Sequence, residues 1–119
     1  MPVDKAFNKK PNRYLGLSIK DPFLRATPLA VKVDDSLIIV ATVKAKNIAR
    51  CKASISYDPI YFLLKTPPTI WLPEGSYSRD IRWELRSLKI SLDSLWVEIT
   101  AKEEEGGLIQ TVGIPITIS

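Results

Sequence analysis

Alternation between apolar and polar side chains is the feature that most restricts the folds open to this chain. It is longest over residues 37–46, where one set of alternate positions is entirely apolar. That set is Leu37, Ile39, Ala41, Val43 and Ala45. Successive side chains of an extended strand point to opposite faces, so this spacing predicts a strand that buries the apolar set. Since no stretch has the spacing of an amphipathic helix, we expect an all-β protein.

Similar alternation recurs along the chain between turns that contain proline, glycine or aspartate. The predicted strands are residues 14–19, 29–33, 37–46, 52–57, 69–72, 78–86, 95–101 and 108–118, with a further apolar run at 60–64. Roughly seven to nine short strands without helices predict an immunoglobulin-like antiparallel β-sandwich. The pair Pro67-Pro68 makes the next strand an edge strand, and Gly113 suggests a β-bulge. Pro115 lacks an amide hydrogen, so the last strand should lie at an edge or pair on one side only.

The length of 119 residues is typical of one domain, and we predict a single β-sandwich over residues 14–119. Residues 1–13 contain four basic residues and two prolines, a composition that predicts a flexible basic arm. The chain has no apolar run of the roughly 18 residues that a membrane-spanning helix needs. It also begins without the apolar stretch of a secretory signal. We therefore expect a cytoplasmic protein that makes no membrane contact; the alternative is a domain cut from a secreted protein, for which a missing signal means nothing.

Few residue types suited to catalysis are available. The sequence contains no histidine and one cysteine, so the usual neutral-pH base, an internal disulfide and a cysteine metal cluster are missing. We expect no enzymatic activity, no cofactor and no metal site. Asp34 and Asp35 could bind a hard cation, but adjacent strand side chains diverge, which favours a turn. Scarce histidine and cysteine beside many charged residues are also typical of thermophilic proteins.

Two further sets of residues could have a function, but each also has a purely structural explanation. Cys51 is close in sequence to three cations, which would lower the pKa of its thiol if they surrounded it. These cations are Lys46, Arg50 and Lys52. We favour a small apolar residue that begins a strand. Arg82 and Arg86 flank Glu84 on their predicted strand, and we expect a solvated face there.

Three apolar residues fall on the outward side of their predicted strands, where a solvent-facing sheet should be polar. They are Ile38, Val40 and Trp96. Either another strand or the N-terminal segment covers them, which we favour, or they form a docking patch for a partner. The docking patch is the more specific functional hypothesis.

A basic segment is the alternative candidate site. Lys44, Lys46, Arg50 and Lys52 place four cations in nine residues with no acid among them, a pattern that suits phosphate or an acidic protein. In an immunoglobulin-like topology this loop shares an end of the sandwich with the hairpin loop of Glu103–Glu105, whose carboxylates would offset the charge. The aromatic residues typical of a single-strand nucleic-acid groove are missing from the segment.

From Leu37 onward, the order of features resembles the immunoglobulin-like domains of the CARDB and adaptin-ear kind. The residues that carry the resemblance are Pro73, Glu74, Gly75, Ser76, Ile81, Trp83, Leu85, Leu95, Val97, Ile99, Gly106, Gly107, Ile114 and Ile116. They describe a turn, a strand with an inward tryptophan and a final hairpin. The resemblance implies the sandwich fold and a tendency to mediate protein contacts.

A lesser resemblance is to the small heat-shock proteins, a family with a related sandwich that oligomerises through a C-terminal Ile-x-Ile tail. It rests on Val31 to Ile39, Gly75 to Arg79, the spacing of Ala101, Gly106 and Leu108, and Ile114-Pro115-Ile116. The interval from Arg79 to Ala101 is long for that family. The last isoleucines also fit a strand better than a tail.

These observations predict a protein-interaction or scaffolding module, or an accessory subunit, that binds through an exposed sheet face or edge. Its partner is expected to be another protein or a second copy of the chain, and no small-molecule substrate is evident. The alternative from another class is a basic nucleic-acid-associated protein that uses the N-terminal arm and residues 44–52. The net charge of +4 is compatible with either.

Overall fold

The computed structural model describes residues 12–22 and 28–119. Nine strands form in this part of the chain. They are β1 (Tyr14–Asp21), β2 (Leu29–Val31), β3 (Ser36–Ile48), β4 (Cys51–Ser56), β5 (Phe62–Leu64), β6 (Thr69–Leu72), β7 (Gly75–Ser87), β8 (Leu95–Glu103) and β9 (Ile109–Ile118). Residues 1–11 of the predicted arm lie outside the described residues. No helix in the described ranges is long and apolar enough to cross a membrane.

The strands form two sheets, and this confirms the predicted immunoglobulin-like β-sandwich. The first sheet has the order β1-β3-β7-β5, and the second has the order β2-β9-β8-β4-β6. Pairing among the described strands is antiparallel except that β2 lies parallel to the end of β9. The short strand β6 lies at an edge of the second sheet, as the prolines before it predict.

The alternation of β3 places its side chains as predicted. Leu37, Ile39, Ala41, Val43 and Ala45 are all buried between the sheets. The inward residues of the neighbouring long strands meet them there, and these are Ile81, Trp83 and Leu85 on β7 with Val97, Ile99 and Ala101 on β8. Each large aliphatic side chain removed from water contributes about 1.5–3 kcal/mol. The core therefore follows directly from the period of two.

The last strand differs from its prediction in two respects. The register between β8 and β9 is unbroken, so the bulge predicted at Gly113 is wrong. A side chain at Gly113 would instead place its Cβ atom 3.0 Å from the ring of Trp96 on the outer face. The predicted edge position of the last strand is also wrong, because β9 lies between β8 and β2. The lost amide of Pro115 is accommodated because β2 joins β9 only from Ile116 onward.

The end of β9 also removes the main support for a small heat-shock protein tail. Ile114 and Ile116 are fully buried within the strand. They cannot leave the core to bind another subunit without unfolding the edge of the second sheet.

Candidate functional site

The predicted docking patch does not form, because its members lie on different sheets. Ile38 and Val40 belong to β3 and face outward from the first sheet, where Glu84 and Arg82 are their partners on β7. Trp96 belongs to β8 and faces outward from the second sheet. The sandwich separates the two outer faces, so the three residues cannot share one partner surface.

Trp96 has a local packing role. It is 59% exposed, and it lies opposite Pro115 on β9. Its ring also covers Gly113, the next outward residue of that strand. Aromatic side chains commonly cover a cross-strand glycine in this way. This packing explains why a tryptophan stands on the outer face at position 96 without requiring a bound partner.

The structure assembles a different apolar surface at the open edge of the first sheet. It comprises Ile60, Leu63, Leu88, Ile90 and Leu92, which are 61, 50, 38, 60 and 96% exposed. We call this surface the β5 apolar edge. These residues come from two segments that meet where the Leu88 amide donates to the Tyr61 carbonyl at 2.8 Å, and the second segment then crosses to the other sheet, where the Ser91 amide donates to the Ile118 carbonyl at 3.0 Å. Half of the ten large hydrophobic residues that are exposed in the described chain lie on this surface.

Strand β5 gives this surface a backbone edge as well. It pairs with β7 through three residues and has no neighbour on its other side among the described strands. Phe62 is buried and anchors the strand, whereas Leu63 points outward. An unpaired strand edge can accept an extended segment of another chain. The sequence carries a signal for this surface, because residues 88–92 alternate Leu, Ile and Leu outside any predicted strand.

The predicted basic loop is wrong in its extent. Strand β3 continues to Ile48 and β4 begins at Cys51, so the connection between them is only two residues long. Lys44 and Lys46 lie on the outer face of the first sheet, and Lys52 lies on the outer face of the second. The four cations are thus divided between two faces.

The expected neutralisation at this end of the sandwich is present for one cation. Arg50 lies 3.9 Å from the Glu104 carboxylate, and the Glu104 amide donates to the Arg50 carbonyl at 2.8 Å. Glu103 does not take part, because its side chain points inward. The hairpin loop therefore contributes fewer exposed carboxylates to this end than its sequence suggests.

Glu103 joins three segments beneath the hairpin. Its carboxylate accepts hydrogen bonds from the Ala49 amide at 2.7 Å and the Leu108 amide at 3.0 Å, and it pairs with Arg13. Burial raises the pKa of the Glu103 carboxyl, but Arg13 and the two amides together hold that pKa below its usual range. The alternation of β8 continued by one step places Glu103 inward, whereas the run of glutamates and glycines that follows it is typical of an exposed loop.

Arg13 is the last residue of the predicted flexible arm, and its side chain has a defined position. Besides its contact with Glu103, its Nε atom donates to the Asn47 carbonyl at 3.3 Å. The Asn47 side chain in turn donates to the Asn12 carbonyl at 2.8 Å. Residues 12 and 13 are therefore attached to the sandwich.

A row of side chains crosses the outer face of the second sheet at the same end. Trp71 on β6 lies opposite Lys52 on β4, and Lys52 lies opposite Lys102 on β8. We call these three residues the Trp71 row. The Arg50 guanidinium lies 4.0 Å from the centre of the Trp71 ring, and the Lys52 ammonium lies 5.9 Å from it. The row borders an open cavity of about 220 Å³ that Glu103 and Glu104 also line.

The remaining candidate site residues, Asp34, Asp35 and Cys51, have structural roles. Asp34 adopts a positive φ of 71°, and the Asp35 carboxylate accepts from the Lys32 amide at 3.1 Å, which confirms the turn. Among the described residues no cluster of three potential metal ligands occurs. Cys51 begins β4 and is fully buried. Its burial raises the pKa of the thiol, so the reactive-thiol alternative is wrong.

The charged face of β7 is solvated as expected. Arg82 lies 3.6 Å from Glu84, and Lys65 lies at the same distance from this carboxylate. Arg86 instead reaches Asp34 across the turn at 3.1 Å. Such exposed pairs contribute little to binding or stability.

Comparison with known proteins relates the chain to others by fold alone. No protein-family model and no curated protein matches its sequence. Among solved structures it is similar to WR4, a C. elegans MSP family member, with a TM-score of 0.52 and 7% identity over 87% of this chain and 97% of that one. It is also similar to the cupredoxin domain of amoB from Nitrosocaldus yellowstonii, with a TM-score of 0.56 and 14% identity over 87% and 86% of the two chains.

A third structure is the Niemann-Pick type C2 protein from Japanese carpenter ant, with a TM-score of 0.53 and 10% identity over 87% of this chain and 89% of that one. These neighbours are immunoglobulin-like β-sandwiches, which supports the fold. Their names describe different proteins, and identities this low show nothing about a shared activity.

Proposed function

We propose that this protein is a non-enzymatic interaction module that binds a protein partner through the β5 apolar edge. The observation that carries the proposal is the concentration of five exposed aliphatic side chains on one strand edge and the loop beside it. Single exposed hydrophobic residues are normal on protein surfaces, whereas a contiguous group marks an interaction site. The resemblance to CARDB and adaptin-ear domains supports the same role.

The partner that fits this surface is an extended segment of another polypeptide with apolar side chains. Such a segment can add to the open side of β5 through backbone hydrogen bonds, while its side chains cover Leu63 and the loop residues Ile90 and Leu92. The backbone bonds fix the direction of the segment, and the apolar contacts supply most of the affinity. A non-catalytic role is supported by the absence of histidine from the sequence.

Site-specific photo-crosslinking in cells tests this proposal. A photoreactive amino acid at position 90 should give a discrete adduct, and the substitution Leu63→Lys should abolish it. The same photoreactive residue at position 44, on the outer face of the first sheet, is the matched control and should give none. An adduct of twice the chain mass would identify a second copy as the partner. Absence of any adduct at position 90, or its persistence with Leu63→Lys, would refute the proposal.

A further inference from the structure

Lys52 and Lys102 form a like-charge pair on adjacent strands. They are directly opposite each other on β4 and β8, and both are exposed on the outer face of the second sheet. Cβ atoms of directly opposed residues are only about 4.5–5.5 Å apart, and like charges in this position destabilise a sheet. The residues that flank the pair across the sheet are Trp71 and Ile109. The two acids that line the same cavity are Glu103, which pairs with Arg13, and Glu104, which lies near Arg50. A bound anion would remove the repulsion.

Trp71 and Arg50 extend this pair into a site with defined geometry. The ring of Trp71 is next to Lys52 in the row, and it holds the Arg50 guanidinium at 4.0 Å. A stacked guanidinium keeps its N–H donors directed sideways, where they suit phosphate oxygens. Its contact with Glu104 is long at 3.9 Å, and an incoming anion would compete with this carboxylate and with Glu74 and Glu105, which line the adjoining cavity. The structure thereby supplies from β6 the aromatic residue that the basic segment itself lacks.

We propose that the Trp71 row, together with Arg50, binds phosphate esters, with one phosphate between Lys52 and Lys102. Single-stranded nucleic acid is the source that the surface favours. The cavity is open, and a second row of side chains with hydroxyl groups follows on the same face. That row is Thr69, Ser54, Thr100 and Thr111. A backbone with repeated phosphates can continue along this face. Trp71 is 46% exposed, so part of its surface beside the Arg50 guanidinium can contact a base.

This site is independent of the proposed protein-binding function. Lys102 is near the end of β8, whereas the loop of the β5 apolar edge precedes the start of that strand. Strand β5 and the strands of the Trp71 row also belong to different sheets. Substitutions at one surface therefore leave the other unchanged, and the two proposals can fail separately.

The test measures binding of the full chain to a fluorescein-labelled ten-nucleotide oligothymidine by anisotropy over a salt series. The double substitution Lys52→Gln/Lys102→Gln should weaken binding about tenfold or more. It should also reduce the salt slope, which is the slope of the logarithm of the binding constant against the logarithm of the salt concentration, by about 0.7 for each phosphate that the variant no longer neutralises. The matched control is Lys44→Gln/Lys46→Gln, which removes the same charge from the other sheet and should leave the salt slope unchanged. Thermal unfolding should show that the Lys52→Gln/Lys102→Gln protein is no less stable than the wild type.

Two competitors and one further variant separate the sources of phosphate. One outcome is that Trp71→Leu weakens oligonucleotide binding about fivefold or more without changing the affinity for inorganic pyrophosphate, measured by its displacement of the labelled oligonucleotide. That result would identify the ligand as nucleic acid. If Trp71→Leu affects neither, the site binds small phosphate compounds. The proposal is overturned if the two double variants lose the same affinity, if the wild type does not bind the oligonucleotide, or if polyglutamate competes as well as pyrophosphate.

Discussion

Replacement of Glu103 should destabilise the fold more than replacement of any exposed acid on the same hairpin. The carboxylate accepts two backbone hydrogen bonds and pairs with Arg13, and its side chain is fully buried. Hydrogen bonds to charged groups contribute about 1.5–3 kcal/mol each. The Ala49 and Leu108 amides are only partly buried, so the lower value applies to each. Glu103→Ala should therefore lose about 3 kcal/mol of unfolding free energy.

Urea denaturation followed by the fluorescence of the buried Trp83 measures this loss. A loss of about 3 kcal/mol corresponds to a fall in Tm of roughly 10 °C for a domain of this size. Glu103→Gln keeps one carbonyl acceptor and should lose about half as much. The matched control is Glu105→Gln, an exposed acid two residues further on. A loss below about 1 kcal/mol for Glu103→Ala would show that water replaces the carboxylate and that its hydrogen bonds do not stabilise the fold.

The same contact predicts a dependence on pH. The pKa of Glu103 is lower in the folded protein than its usual value, so its stabilisation is fully present above the unfolded pKa. It is lost as the pH falls below about 4 and through the folded pKa. The stability difference between wild type and Glu103→Gln should therefore shrink in acid. A difference that stays constant from neutral pH to about pH 3 would contradict the assignment.

Three other perturbations follow from the packing. Phe62→Ala should cost about 3–5 kcal/mol because Phe62 is the buried anchor of β5, and a loss below about 1 kcal/mol in urea denaturation would show that β5 is not packed. Lys102→Gln should raise stability by about 0.2–1 kcal/mol by relieving the repulsion from Lys52, and destabilisation in the same assay would contradict that. Cys51 should react with a thiol reagent only in denaturant, and fast modification of the native protein would contradict its burial.

The alternation of side chains predicts most of this fold because it depends only on neighbouring residues. The core positions of β3, β7 and β8 follow from it, and so does the edge position of β6 after two prolines. The same rule applied one step further places Glu103 in the interior. This inward position is hard to predict from the sequence because the glutamates and glycines that follow it are typical of a turn.

The candidate sites are harder to predict because they depend on which sheet each strand joins. Ile38 and Trp96 both face outward, but alternation within each strand does not show that their faces are opposite. Lys44 and Lys52 are separated in the same way by the crossing between β3 and β4. Conversely, Trp71 lies beside Lys52 only through strand pairing. Exposed residues near strand ends need the full topology before they can be grouped into a surface.

Hydrogen exchange on the complex recovered by crosslinking at position 90 is the most direct test of the β5 apolar edge as the binding surface. Residues 62–64 and the 88–92 loop should exchange more slowly when the partner is bound. The edge strand β6 of the other sheet should exchange at the same rate with and without the partner. Protection of β6, with none at residues 62–64, would show that the partner binds the edge of the other sheet instead.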